Sequence, residues 1–354
     1  LKLLKIAYTE KILLLWGFVF LAISSACLLV YPQSIKTMID QALVDKSSEH
    51  LRFAAILSLG IFLVQAITGA LRYYFFTVAG EKIVKKLRLQ IYKKIMFQKM
   101  SYFDKEKTGD LLSRLTADAG VLQNALSVNI SMVVRSFAQA VGSLTMLFFT
   151  SAQLTLLILI IIPPIGLLAS YFGKKIKAIS KISQQELGVA GAVAEEGISG
   201  IRTVKAFSQE LYEINRYENI LNSYFNIVKN KIFEVSQFTG LVSLLGLTTI
   251  VLVVWYGGNL VISSELSIGT LTSFLLYLMT LAFSVALLGG LWTDFMAAVG
   301  ASSRIFSLLE SDAIEQDHIT KNKVISNAHI EFSHVSFSYP MRKTSLVLND
   351  ISFT

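Results

Sequence analysis

Residues 94 to 118 read Lys-Ile-Met-Phe-Gln-Lys-Met-Ser-Tyr-Phe-Asp-Lys-Glu-Lys-Thr-Gly-Asp-Leu-Leu-Ser-Arg-Leu-Thr-Ala-Asp, a polar turn between two long helical runs. One run approaches it from about Leu51 to Gln98, and the other leaves near Asp110 and continues to about Ser151. Each run holds one membrane-length apolar portion, and the charged portions adjoin the turn. A helix of roughly 45 residues is about 70 Å long, against a hydrocarbon core of about 30 Å. Both helices therefore leave the membrane on one side and carry the turn about 30–40 Å beyond it. Such a stalk suits a protein that passes force or information to something outside the bilayer.

Composition agrees. The 354 residues are 53% apolar and 16% charged, whereas soluble domains run near 25% charged. The net charge of +8 belongs to loops flanking the spans and not to one basic face, so nucleic acid is not an expected partner. The single cysteine, Cys27, excludes an intrachain disulfide. His50, His318, His329 and His334 are too scattered to form a metal site, and no metal is expected. Ile12–Val30 exceeds a signal-peptide core and reads as a retained first span.

Six spans are expected, at about 12–33, 53–79, 128–150, 152–172, 238–262 and 268–290. Lys and Arg crowd residues 82–114 and 174–231, and Lys2, Lys5 and Lys11 precede the first span. The other side holds Lys36, Lys46 and Arg52, offset by Asp40, Asp45 and Glu49. This asymmetry puts both termini and both long loops in the cytoplasm. The second long loop repeats the stalk design, running helically from Lys174 to about Phe207 and back from about Tyr212 to Phe233. Pro163-Pro164 should kink the fourth span. The small residues from Gly188 to Gly200 fit either tight packing or a mobile crossing between subunits.

The expected fold is an all-α membrane protein with six long helices and cytoplasmic extensions, followed by the first β-strands of a truncated soluble domain. The divisions are a transmembrane domain at 1–311, a linker at 312–328 and the opening of the soluble domain at 329–354. In that last part Val335, Phe337 and Tyr339 alternate at period two, as do Leu346 with Leu348 and Ile351 with Phe353. About 25 residues cannot bury a core, so a fragment is expected. No nucleophile–base pair, paired-carboxylate motif or Gly-x-x-x-x-Gly-Lys-Ser/Thr phosphate loop occurs, and no catalytic residue is assigned.

Tyr102–Asp118 resembles the first intracellular loop of ABC exporters of the multidrug and lipid-flippase type. Gly197–Glu210 is similar to their second loop, Gly300–Glu310 to the end of their sixth helix, and Ile330–Pro340 to the start of their nucleotide-binding domain. The resemblance implies a half-transporter that pairs with a second copy, forming a homodimer in the membrane lipid. It implies ATP and Mg2+ in a full-length ATP-hydrolysing translocase, with no hydrolysis by these residues alone. It implies coupling helices that dock into nucleotide-binding domains, carried here by Tyr102, Phe103, Asp104, Gly109, Leu112 and Arg114 in one loop and Lys205, Phe207, Gln209 and Glu210 in the other. Tyr339 matches the aromatic that stacks on adenine. Arg135 and Asp294 are substrate-cavity candidates because ionisable groups at membrane depth face a bundle interior, whereas Arg72 reads as a snorkelling cation.

The function expected is export of a lipid, drug-like or other amphipathic substrate by alternating access, in a bacterial plasma membrane or an organellar inner membrane. The rival is a receptor or regulator whose stalk docks a soluble partner. A secondary transporter is disfavoured, because polar stalks are unneeded there and inverted repeats are not apparent. The topology is testable in a Cys27→Ala background. Cysteines placed at Lys105 and Ser208 should resist an impermeant thiol reagent outside intact cells, and one at Ser48 should react; labelling of both tips from outside would reverse the orientation.

Overall fold

The computed structural model describes residues 10–42, 48–104, 106–310, 329–338 and 346–354. Among them, six helices are long and apolar enough to cross a membrane, so this is an integral, multi-pass membrane protein. They are α1 (Lys11–Asp40), α2 (Ser48–Met96), α4 (Thr108–Thr150), α5 (Ala152–Ser199), α7 (Glu210–Ile262) and α8 (Ile268–Glu310). Two short helices lie between them, α3 (Met100–Phe103) after α2 and α6 (Ile201–Ala206) after α5. The 49 residues of α2 and 53 of α7 correspond to about 75–80 Å. Both far exceed the bilayer core, as the stalk reading requires.

Capping explains the tight turns at the other end. Ser151 alone separates α4 from α5, and its extended backbone lets its Oγ accept from the Leu154 amide at 3.4 Å. Ser267 does the same for the Thr270 amide at 3.0 Å, where α8 begins. Two π turns interrupt α4, at Arg114–Asp118 and Ala125–Asn129. Each adds a residue to one turn and so rotates the downstream face by about 100°.

The chain divides into two compact units, Leu1–Leu144 with Tyr277–Thr354, and Thr145–Leu276. In the first, α1 packs on α2 through the stacked Phe20–Phe75 pair and the edge-on Phe18–Phe76 pair, with centroids 5.5 and 5.2 Å apart. Tyr277 of α8 is fully buried and donates to the Leu29 carbonyl at 2.7 Å. Pro32 lacks the N–H that would bond the Leu28 carbonyl, one residue earlier in α1. Nearer the tip, Leu87, Ile91 and Ile95 of α2 meet Leu111 and Leu122 of α4 and Ala298, Ala301, Ile305 and Leu308 of α8. The three- and four-residue spacings on α2 and α8 put one apolar stripe on each of those two helices. The stalk thus has its own closed core.

In the second unit α5 and α7 run together. Phe172 packs on Phe238, and Lys175 pairs with buried Glu234 at 2.6 Å. Helix α5 runs unbroken through Pro163 and Pro164. It does not continue to Phe207 as expected but stops at Ser199, and α6 starts after Gly200. A Cβ on Gly200 would lie 3.1 Å from the Glu196 carbonyl, so the turn needs that closeness. Among the described residues nothing lies within 4 Å of a Cβ built on Gly188 or Gly191, so packing among them does not account for those two glycines.

Strands β1 (Phe332–Phe337) and β2 (Leu348–Phe353) pair antiparallel, with Phe332 opposite Phe353, Val335 opposite Ile351 and Phe337 opposite Leu348. The register shifts twice, and His334 and Asp350 take left-handed backbone at φ 51° and 52°. Simple alternation therefore breaks inside the hairpin. Tyr339 and the 312–328 linker lie outside the described residues.

At Gly80 the backbone of α2 lies close against Ser127 of α4. A Cβ there would lie 2.3 Å from the Ser127 Cβ. Gly80→Ala is expected to force the helices apart and cost about 1–3 kcal/mol. Gly188→Ala, in open space, should gain up to about 1 kcal/mol of helix propensity. Thermal unfolding midpoints of the two variants should move in opposite directions.

Candidate functional site

The first loop tip is braced from within. After α2 the chain turns through Phe97 and Gln98, extends at Lys99 and re-enters helix as α3. Arg114, on the first π turn of α4, reaches back across the loop. Its Nη1 donates to the Tyr102 hydroxyl at 2.9 Å and its Nη2 to Glu106 Oε2 at 2.8 Å. Tyr102 also rests on the stalk core, so Arg114 ties tip to core. Burial pushes the Tyr102 phenol up from its ordinary range, the Arg114 charge opposing, and it stays protonated at neutral pH. The Phe103 ring stands edge-on to Tyr102 at 5.9 Å. What the tip presents to water is Met100, Phe103 and Leu112, with Asp104 and Gly109 also exposed.

Above this tip, Asp118 and Arg304 close the stalk core. Arg304 Nε donates to Oδ2 at 2.9 Å and Nη2 to Oδ1 at 2.5 Å, a fork-to-fork pair. Asp118 is 6% exposed, whereas the arginine side chain remains 57% exposed. A buried carboxylate from α4 is thereby held by a cation from α8.

The second tip is built differently. Gly200 breaks the helix, α6 forms one and a half turns, and Ser208 takes left-handed backbone at φ 52° to start the return. The Gln209 amide then donates to the Val204 carbonyl at 3.0 Å. Lys205 pairs with Glu210 at 2.8 Å, but both side chains are well exposed and the pair adds little stability. Arg216 of α7 donates to Glu196 of α5 at 2.8 Å and ties the two helices just behind the tip. Phe207 is 72% exposed and does not pack back on its own stalk; Leu211 and Tyr212 extend its apolar surface.

Within the spans, Asp294 accepts from Asn129 Nδ2 at 3.3 Å, while Arg135 has no carboxylate partner among the described residues. The two candidates are not brought together. Arg72 is half-buried and its Nη1 donates to Ser131, so snorkelling does not describe it. Sequence reasoning passed over Met100, Leu211, Tyr212 and the Asp118–Arg304 pair. Asp118 and Arg304 both lay inside quoted motifs, yet no local pattern joins residues 186 apart. Among the described residues no group of three His, Cys, Asp or Glu side chains could hold a metal.

Residues 14–285 match the family model of the ABC transporter transmembrane region. The chain is 37% identical over 309 residues to ABC transporter B family member 1 of Dictyostelium discoideum, covering 87% of this chain and 34% of that protein. It is 32% identical over 295 residues to ATP-binding cassette sub-family B member 10, mitochondrial, of Mus musculus, covering 82% and 41%. It is 29% identical over 364 residues to ABC multidrug transporter mdr2 of Aspergillus fumigatus, covering 99% and 45%. The chain thus spans between a third and a half of the length of these curated relatives.

The stalk clamp is open to a double-mutant cycle. Arg304→Ala leaves Asp118 buried without its cation and should cost about 1–3 kcal/mol. Asp118→Ala with Arg304→Ala should cost less than the sum of the single changes, because no charge is then stranded. Additive losses in thermal or denaturant unfolding would mean that the pair carries no coupling.

Proposed function

The chain belongs to the ABC transporter transmembrane-region family, and on that premise we propose that it is the membrane half of an ATP-driven exporter for a lipid, drug-like or other amphipathic substrate. The observation that carries the reading is the pair of loop tips. Each ends a stalk far longer than the membrane needs, and each presents apolar side chains that have no use in water. Phe103 with Met100 and Leu112 on one tip, and Phe207 with Leu211 and Tyr212 on the other, suit pockets on a nucleotide-binding domain, as buried aromatic anchors do. The flanking Tyr102, Asp104, Gly109, Arg114, Lys205, Gln209 and Glu210 shape and orient the two tips.

In this reading residues 1–311 form the transmembrane domain, 312–328 a linker and 329–354 the opening of a nucleotide-binding domain. The hairpin leaves Phe332, Phe337, Leu348 and Phe353 exposed within this chain, and the rest of such a domain would cover them. ATP and Mg2+ are used there, with Tyr339 stacking on the adenine. The working unit is two half-transporters in a lipid bilayer, taken as a homodimer. Alternating access follows because nucleotide binds one arrangement of the halves better than the other, and the stalks move with it. The membrane is a bacterial plasma membrane or an organellar inner membrane, with both termini cytoplasmic. A receptor or regulator is not favoured, since the matching family model and the similar proteins are ABC transporters.

The test uses the assembled, ATP-hydrolysing transporter. Phe103→Ala and Phe207→Ala should leave substrate affinity unchanged and reduce the stimulation of hydrolysis by substrate. The coupling at stake is about 1–3 kcal/mol and is reciprocal for binding, so nucleotide should also lose some of its effect on substrate affinity. Full substrate-stimulated hydrolysis and transport in both variants would sink the coupling role.

A further inference from the structure

The stalk carries an open groove of about 440 Å³ between α2 and the first π turn of α4. Lys85, Arg88, Leu89 and Tyr92 line it from α2, and Leu115 and Thr116 line it from α4. The α2 residues recur at three- and four-residue steps, so they share one face, a different one from the seam of Leu87 and Ile91. The cations along α2 are not alike. Lys82 and Lys86 both pair with Glu10. Among the described residues the Lys85 and Arg88 side chains make no ion pair or hydrogen bond, and the Tyr92 ring meets no other ring. Tyr92 and Leu89 are 49% and 54% exposed, so a flat ring and a leucine stand open beside two unmatched charges. Thr116 Oγ1 donates to the Leu112 carbonyl at 2.8 Å, which leaves its lone pairs to accept from a ligand.

Position and spacing narrow the ligand. Arg88 and Tyr92 lie about 14 and 20 Å past the end of the span at 53–79, beyond the headgroup layer, so the groove fills from water and not from the bilayer. Lys85 and Arg88 are one turn apart, and a guanidinium fork beside an ammonium matches a phosphate dianion. Tyr92 follows Arg88 by about 6 Å along the helix axis, a separation that a phosphate joined to a flat ring bridges. The ligand ring then stacks on Tyr92, with Leu89 and Leu115 at its edges. The groove volume is that of a small-molecule site.

We propose that this groove is a regulatory binding site for a water-soluble aromatic phosphate monoester, with Lys85 and Arg88 on the phosphate and Tyr92 under the ring. Leu115 and Thr116 belong to the π turn that starts at Arg114, which braces the first tip, and ends at Asp118, which Arg304 holds. A ligand seated there touches the element that joins tip to clamp, and it lies outside the membrane-spanning part where cargo would sit. The inference goes beyond the exporter reading, because binding needs neither ATP hydrolysis nor a coupling tip.

The experiment is equilibrium dialysis of 1-naphthyl phosphate against the purified chain in phosphatidylcholine nanodiscs, without nucleotide, with empty nanodiscs subtracted. The wild-type chain should bind it saturably. Lys85→Gln with Arg88→Gln should weaken binding about tenfold or more, the scale of a charge-assisted hydrogen bond. Lys82→Gln with Lys86→Gln removes the same charge from the same helix and should leave the affinity within about twofold, since those lysines serve Glu10. Tyr92→Ala should weaken binding about fivefold or more, and Tyr92→Phe should restore it, because stacking needs the ring and not the hydroxyl. No saturable binding by the wild-type chain would overturn the proposal, and that measurement needs no variant to fold. Equal losses in the two double variants would overturn it too, since diffuse attraction to a basic helix would then explain the binding. So would an unchanged affinity in a folded Lys85→Gln, Arg88→Gln chain. Each of these failures would leave the coupling role of Phe103 and Phe207 standing, and loss of that role would leave this site standing.

Discussion

A helix that leaves the membrane by several turns must find another apolar surface or unravel, because a lone helix is marginal in water. In the unit formed by Leu1–Leu144 and Tyr277–Thr354, the surface is supplied by three stalk segments at once. Leu87, Ile91 and Ile95 come from α2, Leu111 and Leu122 from α4, and Ala298, Ala301, Ile305 and Leu308 from α8. The other features of this stalk depend on that seam. Tyr102 can carry the loop tip only because it rests on the seam, and Arg114 can brace the tip only because Tyr102 is fixed. Asp118 can be buried only because Arg304 meets it from the neighbouring helix.

The Asp118–Arg304 pair adds something packing does not. Apolar contact tolerates sliding along a seam, since one methyl can replace another at little cost. A two-bond fork between carboxylate and guanidinium does not, because both bonds lengthen when either helix shifts or turns. Asp118 ends the first π turn, and the extra residue of that turn rotates every later side chain of α4. The clamp is therefore placed where the face of α4 changes. It sets one register between α4 and α8 in the structure described here.

The large architecture was legible because length and charge are local properties. The spans at 53–79 and 128–150, the stalks and the turn at 94–118 follow from apolar runs too short to fill the helices that contain them. Ser151 could have been read as a cap, and it is one. The break at Gly200 was missed although the glycine was visible, because the tightness that favours glycine there, a Cβ falling 3.1 Å from the Glu196 carbonyl, exists only once the turn has formed. The π turns left no signal in the periodicity. Arg72 was misread because snorkelling is the ordinary fate of a long cation near an interface, and only the bond to Ser131 on another helix removes it from that class. The bulges at His334 and Asp350 escaped for a similar reason, since period-two alternation persists by sequence while the backbone shifts beneath it.

The two tips differ in how they hold their shape, and that difference bears on how force could pass. The first tip is anchored by Arg114 and Tyr102 to a core shared by three helices, so a push on Phe103 is delivered to α2, α4 and α8 together. The second rests on a helix pair. Behind Phe207 the ties are the Arg216–Glu196 pair near the tip and the Lys175–Glu234 pair farther along. Glu196 and Arg216 are both accessible to water, while in the second tie Glu234 is buried and Lys175 is 48% exposed. The second tie is therefore the less screened of the two. A load on Phe207 is thus held less tightly at the tip than at the depth of Glu234. In the coupling role proposed for the tips, α5 and α7 would yield near Gly200 before they yielded near Glu234, and the first tip would move only as one body with its stalk.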